Sequence, residues 1–337
     1  MRAFVVSAPR TASVVEVDAP VPSPDDLVVT VERVGICGTD VELYSGAMAY
    51  LDQGITSYPI RLGHEWTGTV TAVGSPVHEH WIGKRVTGDT MLGCGHCRYC
   101  LGGHQHVCLD RFEVGITDGW PGALAEQLLI PARFAHEIPA SVSVTAAALV
   151  EPGGNSLRAV EAAGLSAGES LLILGSGTIG LLAAQFAIAR GLDVHVAGDR
   201  ATSLDLARTL GVQHTHPLDD VPAGQYAAVI DATSSVSAPV RAVELVDRAG
   251  RVVFIGLSGT PSQVDTRDIA LKDVTAVGIL SASPGLAGAI ELFASGAVVP
   301  DSLVAEVVGL DSVAERLEGN RGPGAGVGPK VHVDPRL

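Results

Sequence analysis

Leu171-Leu-Ile-Leu-Gly175-Ser-Gly177-Thr178-Ile179-Gly180 decides the fold. Four consecutive apolar residues read as a short strand buried on both faces, and Ile179 to Arg190 continues as a helix. The three glycines divide the work of the strand-to-helix turn between them. Gly175 makes the tight turn, Gly177 lets the backbone approach a pyrophosphate, and Gly180 lets helix and strand pack closely. The helix start, with Thr178 and Ile179 in its first turn, offers free N–H groups and a positive dipole end to phosphate. The next strand, Val194 to Ala197, leads to Asp199. An acidic residue about 20 positions beyond the glycines accepts from the ribose hydroxyls of NAD and repels the 2′-phosphate of NADP, a preference that Arg200 could soften. The plain alternative is a glycine-rich turn with no ligand and a solvated Asp199.

The alternation continues outward. Ser203 to Leu210 reads as a helix, Ala227 to Asp231 as a strand, Val236 to Val246 as a helix and Arg251 to Ile255 as a strand. Short apolar strands separated by helices imply a parallel sheet covered on both faces. Residues 1 to about 135 are β-rich, with strands at Leu27 to Val34 and Trp66 to Val73, and no long helix is expected there. Val142 to Ala163 is Ala-rich and helical, interrupted at Pro152-Gly153-Gly154. A helix at Leu286 to Ala294, a Gly/Pro-rich loop and a last strand, Lys330-Val-His-Val333, close the chain.

A length of 337 residues suggests about two domains, and 47% hydrophobic against 18% charged residues suits packed cores. The formal net charge is −15 and no Lys/Arg stripe stands out, so nucleic acid is not an expected partner. The apolar start Met1-Arg-Ala-Phe-Val-Val6 is too short for a signal-peptide core, and Ile179 to Ala189 is too short to span a bilayer. A cytoplasmic protein without a membrane partner is therefore expected. Four of the five cysteines fall between residues 94 and 108, which argues for metal rather than disulfides.

Those four, Cys94, Cys97, Cys100 and Cys108, are spaced C-x2-C-x2-C-x7-C. A loop so spaced can wrap a tetrahedral zinc and leave no position open for substrate, hence a structural role. An iron–sulfur cluster is the alternative, but a bacterial ferredoxin run needs its fourth Cys three residues on, followed by Pro. Three other stretches carry ligand chemistry: Gly35-Ile-Cys37-Gly-Thr39-Asp40, Gly63-His64-Glu65-Trp66-Thr-Gly68 and Val150-Glu151-Pro152. A catalytic zinc needs about three protein ligands and an open position. Cys37, His64 and a carboxylate from Glu65 or Glu151 would supply them, and the spacing does not choose between the two glutamates. Singly, a lone Cys is more often a small buried hydrophobe and a Glu at a domain border is usually solvated. Their joint occurrence with the cysteine lobe and the glycine loop gives them weight.

In this order, these motifs resemble the zinc-containing medium-chain alcohol dehydrogenase family over nearly the whole chain. The resemblance implies an α/β fold with a GroES-like β-rich catalytic domain, residues 1–153 and 285–337, whose zinc lobe lies at about 90–110. Residues 154–284 would form a Rossmann NAD-binding domain, with the active site in the cleft between the two. It further implies two zinc ions per chain, a small-molecule alcohol substrate, a homodimer or homotetramer, and hydride transfer from a secondary alcohol to NAD, giving a ketone. Glu151 stands where alcohol dehydrogenases proper carry Cys, whereas polyol, sugar, cyclitol and threonine branches carry Glu. Cys94 to Cys108, Gly122 to Glu126 and Glu151 to Asn155 look close to threonine dehydrogenases. Gly88-Asp-Thr-Met-Leu92 lacks the His of that branch, so polyol-like substrates rank ahead of threonine, with simple alcohols a further alternative.

Thr39, two residues from Cys37, would relay the substrate proton, and Glu42 stands where the family often has a His. Asp40 either orients the ligand shell through His64 or caps its loop. Trp120, in the loop Asp118 to Pro121, lines the cleft or merely packs. Lys330 contacts a cofactor phosphate or ends a strand in solvent. Two rivals share the fold: a zinc-free quinone-reductase-like enzyme, which would lack the Cys37 and His64 pattern, and a non-enzymatic NAD-binding protein.

Overall fold

The computed structural model describes residues 1–117, 119–223 and 226–337, with Val77 described by its backbone alone; Asp118 lies outside the described residues. Strands β1 (Arg2–Ala8) and β2 (Thr11–Glu16) form an antiparallel ribbon. β3 (Asp26–Gly35), α1 (Gly38–Ser45), the short α2 (Ala49–Asp52), β4 (Glu65–Val73) and β5 (Arg85–Gly88) follow. A second ribbon, β6 (Met91–Leu92) and β7 (Phe112–Glu113), brackets the cysteine lobe with its turn α3 (Arg98–Leu101). After β8 (Gln127–Pro131) and β9 (Ala135–Glu137) come α4 (Val144–Ala148) and α5 (Val150–Ala163).

The alternating segment then runs β10 (Ser170–Leu174), α6 (Thr178–Ala189), β11 (Asp193–Gly198), α7 (Ala201–Thr209), β12 (His214–Pro217) and β13 (Tyr226–Asp231). It continues with α8 (Ala238–Leu245), β14 (Val246–Phe254), α9 (Thr266–Lys272) and β15 (Thr275–Gly278). Its sheet has the order β12-β11-β10-β13-β14-β15 with every pairing parallel, which is doubly wound topology starting in the middle and reversing once. Last come α10 (Leu286–Ala294), β16 (Val304–Val308), α11 (Val313–Leu317) and β17 (Lys330–Val333). β16 and β17 cross back to join β3, β4, β5 and β9 in the other sheet, while β8 pairs with β3.

Burial explains these elements. Leu171 to Leu174 are wholly buried, with alternate residues serving two different apolar cores. α6 is apolar nearly all round and buried over Gly180 to Ala187, as expected of a helix sandwiched between the sheet and α5. A separate core gathers Phe4, Leu27, Val31, Leu43, Trp66, Leu124 and Val333 from the first sheet and its flanking segments.

Three expectations change. The helical stretch is not broken at Pro152-Gly153-Gly154; the break is at Leu149, and α5 runs through the Pro and both glycines. Pro152 sits in the first turn, where its missing N–H costs no helical bond. The glycines admit close neighbours: a Cβ on Gly154 would come within 3.0 Å of Ala282. Second, a two-turn helix, α1, does occur in the β-rich region; only Asp40, Leu43 and Tyr44 of it are buried, too few for a visible helical period. Third, residues from 285 onward were expected with the β-rich unit, yet α10 packs into the core of the alternating unit, where Phe293 stacks on Phe186 at 5.9 Å. The return to the first sheet comes at β16.

β17 is buried along its whole length. Its His332 is fully buried, neither ring nitrogen has a hydrogen-bond partner among the described residues, and burial, helped by Lys330 and Arg33, pushes its pKa down to about 3. An unfolded chain would protonate this imidazole below pH 6.5 while the fold does not. His332 therefore supports the fold fully above that pH and the support is lost as pH falls from 6.5 toward 3, at most ~1.4 kcal/mol per pH step. Urea midpoints across this range should fall more steeply for wild type than for His332→Leu; parallel curves would refute the assignment.

Candidate active site

The site forms where β3 and β4 end side by side. Gly35 pairs with Glu65 in the β3–β4 register, so the chain carries Cys37 just past β3 to face His64 and Glu65 at the start of β4. The sulfur of Cys37, one ring nitrogen of His64 and one carboxylate oxygen of Glu65 all lie within 4.8 Å of one another. His64 and Glu65 are buried and Cys37 is half-buried.

Asp40, fully buried on the first turn of α1, locks this corner. One carboxylate oxygen accepts from the Cys37 N–H at 2.9 Å and the other from the Gly63 N–H at 3.2 Å. The second oxygen also stands 3.6 Å from His64 Nδ1, just beyond hydrogen-bond reach. The geometry thus fits the loop-capping reading of Asp40, while its carboxylate faces the imidazole without accepting a hydrogen bond from it. Burial works against a charged His64, but Asp40 and then Cys37 outweigh it and hold its pKa well above the usual value.

The two glutamates differ in their partners. Both oxygens of Glu65 accept from Lys330 Nζ, at 2.8 and 2.7 Å, and Lys330 also donates to the Ile36 carbonyl at 3.0 Å. Lys330 is buried, neither in solvent nor lining the nucleotide cavity. The pair leaves no space for a side chain at residue 35, because a Cβ on Gly35 would stand 2.2 Å from Glu65 Oε2. Glu151, buried on the first turn of α5, is held at one oxygen by Asn155 at 3.0 Å and Thr90 at 3.5 Å. Burial pushes its carboxyl up to about 7; His64 opposes this and Glu65 adds to it. Sequence reasoning missed the roles of Lys330 and Asn155. The signal for the first was a Lys heading a strand otherwise made for the interior.

Thr39 is half-buried in the first turn of α1 and Glu42 is exposed on the same helix, its pKa raised by partial burial. Three residues apart, they share a helix face. Trp120 packs: its indole N–H donates to the Leu129 carbonyl at 2.9 Å and its ring meets Phe112 at 5.8 Å.

The cysteine lobe is assembled. Sulfur separations are 3.9 Å for Cys94–Cys100, 3.6 Å for Cys97–Cys100 and 3.7 Å for Cys97–Cys108. Four thiolates at the usual 2.3 Å around zinc would stand about 3.8 Å apart, so the group matches a closed tetrahedron. The N–H groups of His96 and Cys97 pull the Cys94 thiol down to about 6, toward the thiolate a metal needs.

At the glycine loop, a cavity of about 320 Å³ is lined by Gly175, Ser176, Gly177, Gly198, Asp199, Arg200 and Ala232 to Ser235. Gly175 has φ +106°, and a Cβ on Gly180 would stand 1.8 Å from the Gly175 carbonyl oxygen. A Cβ on Gly177 would meet nothing within 4 Å, the open approach a pyrophosphate requires at the start of α6. Thr178 and Ile179 lie in that first turn and are not among the cavity-lining residues. Asp199 and Arg200 stand 3.9 Å apart at its rim, both largely exposed.

Comparison with known proteins agrees with this geometry. Residues 23–140 match the alcohol dehydrogenase GroES-like domain and residues 178–295 the zinc-binding dehydrogenase domain. The chain is 33% identical over 275 residues to L-threonine 3-dehydrogenase of Vibrio vulnificus, covering 78% of this chain and 79% of that protein. It is 32% identical over 299 residues to 2-dehydro-3-deoxy-L-galactonate 5-dehydrogenase of Pseudoalteromonas atlantica, 86% of each. Among solved structures, a protein assigned as a zinc-binding dehydrogenase from Sinorhizobium meliloti 1021, bound to NADP, superposes with a TM-score of 0.89 at 31% identity, covering 99% of both chains. No helix among the described residues is long and apolar enough to cross a membrane. With a GroES-like unit, a Rossmann unit and both ligand clusters in place, the chain belongs to the zinc-binding, medium-chain alcohol dehydrogenase family.

Proposed function

We propose that this protein oxidises a secondary alcohol of polyol, sugar or cyclitol type with NAD, giving a ketone, at a centre held by Cys37, His64 and Glu151. The observation that carries the reading is the Cys37–His64–Glu65 group, two of its members buried, with the buried Glu151 beside it. Glu65 already has an ammonium on both oxygens, whereas the buried Glu151 carboxyl is held by the neutral Asn155 and Thr90. A buried carboxylate with no cation hydrogen-bonded to it is costly to ionise, which makes Glu151 the better ligand and Glu65 a neighbour steadied by Lys330. Zinc bound here would supply Lewis-acid polarisation of the substrate hydroxyl.

The chain's own residues do the rest. Asp40 fixes the loop that carries Cys37 and orients His64. Thr39 accepts the proton of the substrate hydroxyl as it gives up its own, and Glu42 on the same helix face takes the released proton toward solvent. The backbone of Gly175, Gly177, Thr178, Ile179 and Gly180 seats the pyrophosphate, and Asp199 accepts from the ribose hydroxyls. The NADP-bound relative and the adjacent Arg200 favour NADP as the second reading for the cofactor. For the substrate, the relatives named as L-threonine 3-dehydrogenases favour threonine, while the sugar-acid dehydrogenase relative suits a polar secondary alcohol. A homodimer or homotetramer in the cytoplasm completes the proposal, by analogy with the family pattern.

Purified protein assayed with NAD and, separately, NADP against polyols, aldoses, cyclitols, sugar acids, threonine and simple alcohols should turn over a polyol-like substrate with NAD. Turnover of threonine alone would move the substrate class, and preference for NADP would overturn the role given to Asp199. Glu151→Gln should lose one of two zinc ions and nearly all activity. Glu65→Gln should keep both and lose activity about 10–100-fold, as supporting groups around a metal do. The reverse pattern would exchange the two assignments.

A further inference from the structure

The end of the nucleotide sheet away from the glycine loop carries a third group of metal-ligating side chains. β11 starts at Asp193 and ends at Gly198, which lines the nucleotide cavity; five residue steps place Asp193 about 17 Å from that cavity's edge. β12, the edge strand, pairs with β11 in parallel register, His195 opposite His214 and Ala197 opposite His216. Alternation along strands puts Asp193, His195, His214 and His216 on one face of the sheet.

The side chains converge. His195 Nε2 lies 3.5 Å from one carboxylate oxygen of Asp193, and His214 Nε2 lies 3.4 Å from the other. The two imidazoles stack at 4.4 Å, and the three ligand atoms lie within 4.8 Å of one another. Nitrogen and oxygen ligands 2.0–2.1 Å from a tetrahedral ion stand about 3.3–3.5 Å apart, so the three side chains, with ligand atoms within 4.8 Å of one another, close in slightly on an ion they share. His195 Nδ1 meets His216 Nε2 at 3.0 Å, so one proton lies between them. With that proton on His195, its Nε2 presents a lone pair toward Asp193, the tautomer a metal ligand needs, and His216 is the outer acceptor that fixes the ring. Tyr226 packs edge-on against the same ring at 5.1 Å. Asp193 and His214 are half exposed (45% and 46%), leaving solvent access for an ion and its remaining water ligands.

We propose that Asp193, His195 and His214, with His216 behind them, bind a divalent transition-metal ion of the zinc and nickel class and clip the edge strand β12 to the sheet. Two imidazoles and a carboxylate suit such ions rather than calcium or magnesium. The site is separate from the catalytic centre and from the cysteine lobe, so it stands or falls independently of the activity proposed above.

The test is zinc uptake by protein as purified, followed by metal analysis after removal of loose ions and by melting temperature. Wild type should take up one ion beyond its purified content and melt higher when it does. His214→Gln and, as a second variant, Asp193→Asn should keep the purified zinc content and melting temperature but bind the added ion at least 100-fold more weakly. His216→Gln should weaken it about 10–100-fold. No extra ion in wild type, or equal uptake by His214→Gln and Asp193→Asn, would overturn the proposal.

Discussion

Too much negative charge is buried in one corner of this molecule, and the surrounding structure is arranged to hold it. Asp40, Glu65 and Glu151 converge there, beside the half-buried Cys37 thiol, on the Lys330 ammonium and the His64 imidazole. The field shows in the protons it retains, for His64 and Lys330 keep theirs more tightly than usual despite burial, and burial itself pushes the Glu151 carboxyl up to about 7. Isolated buried charges cost several kcal/mol each, so the corner calls for a further cation, and the thiolate, imidazole and carboxylate suit zinc. Lys330 donates to both oxygens of Glu65, while Glu151 is held by the neutral Asn155 and Thr90.

That corner dictates the path of the chain. Lys330 comes from the last strand, which must cross back from the nucleotide unit to lie beside β3. Gly35 is required because the Glu65 carboxylate rests against its backbone. Asp40 binds the ends of two separate segments, so the ligand positions are set by strand register and one carboxylate rather than by a mobile loop. Glu151 begins α5, the helix that packs along α6, and α6 begins at the phosphate loop. One pair of packed helices thus sets the spacing between Glu151 and the glycine loop.

Much of this was legible in the sequence where local chemistry is decisive. The glycine loop, the cysteine spacing and Cys37, His64 and Glu65 depend on short-range geometry, and each appears as its motif requires. Long-range pairing was hidden. Nothing local to Lys330 names Glu65, 265 residues away, and only burial of the terminal strand reveals that its charge needs an internal partner. α1 was missed because caps and one buried carboxylate hold it, not an apolar stripe. The break expected at Pro152 failed because proline in a first turn starts a helix as readily as it ends one.

The central claim is that two zinc centres of different composition coexist, one closed by four thiolates and one holding a single thiolate with nitrogen and oxygen ligands. Zinc-edge X-ray absorption on protein of known metal content tests it most directly. The account predicts two zinc ions per chain and an average of about two and a half sulfur ligands per ion. One ion per chain with four sulfurs would contradict it, because the corner built around Cys37, His64 and Glu151 would then hold no metal.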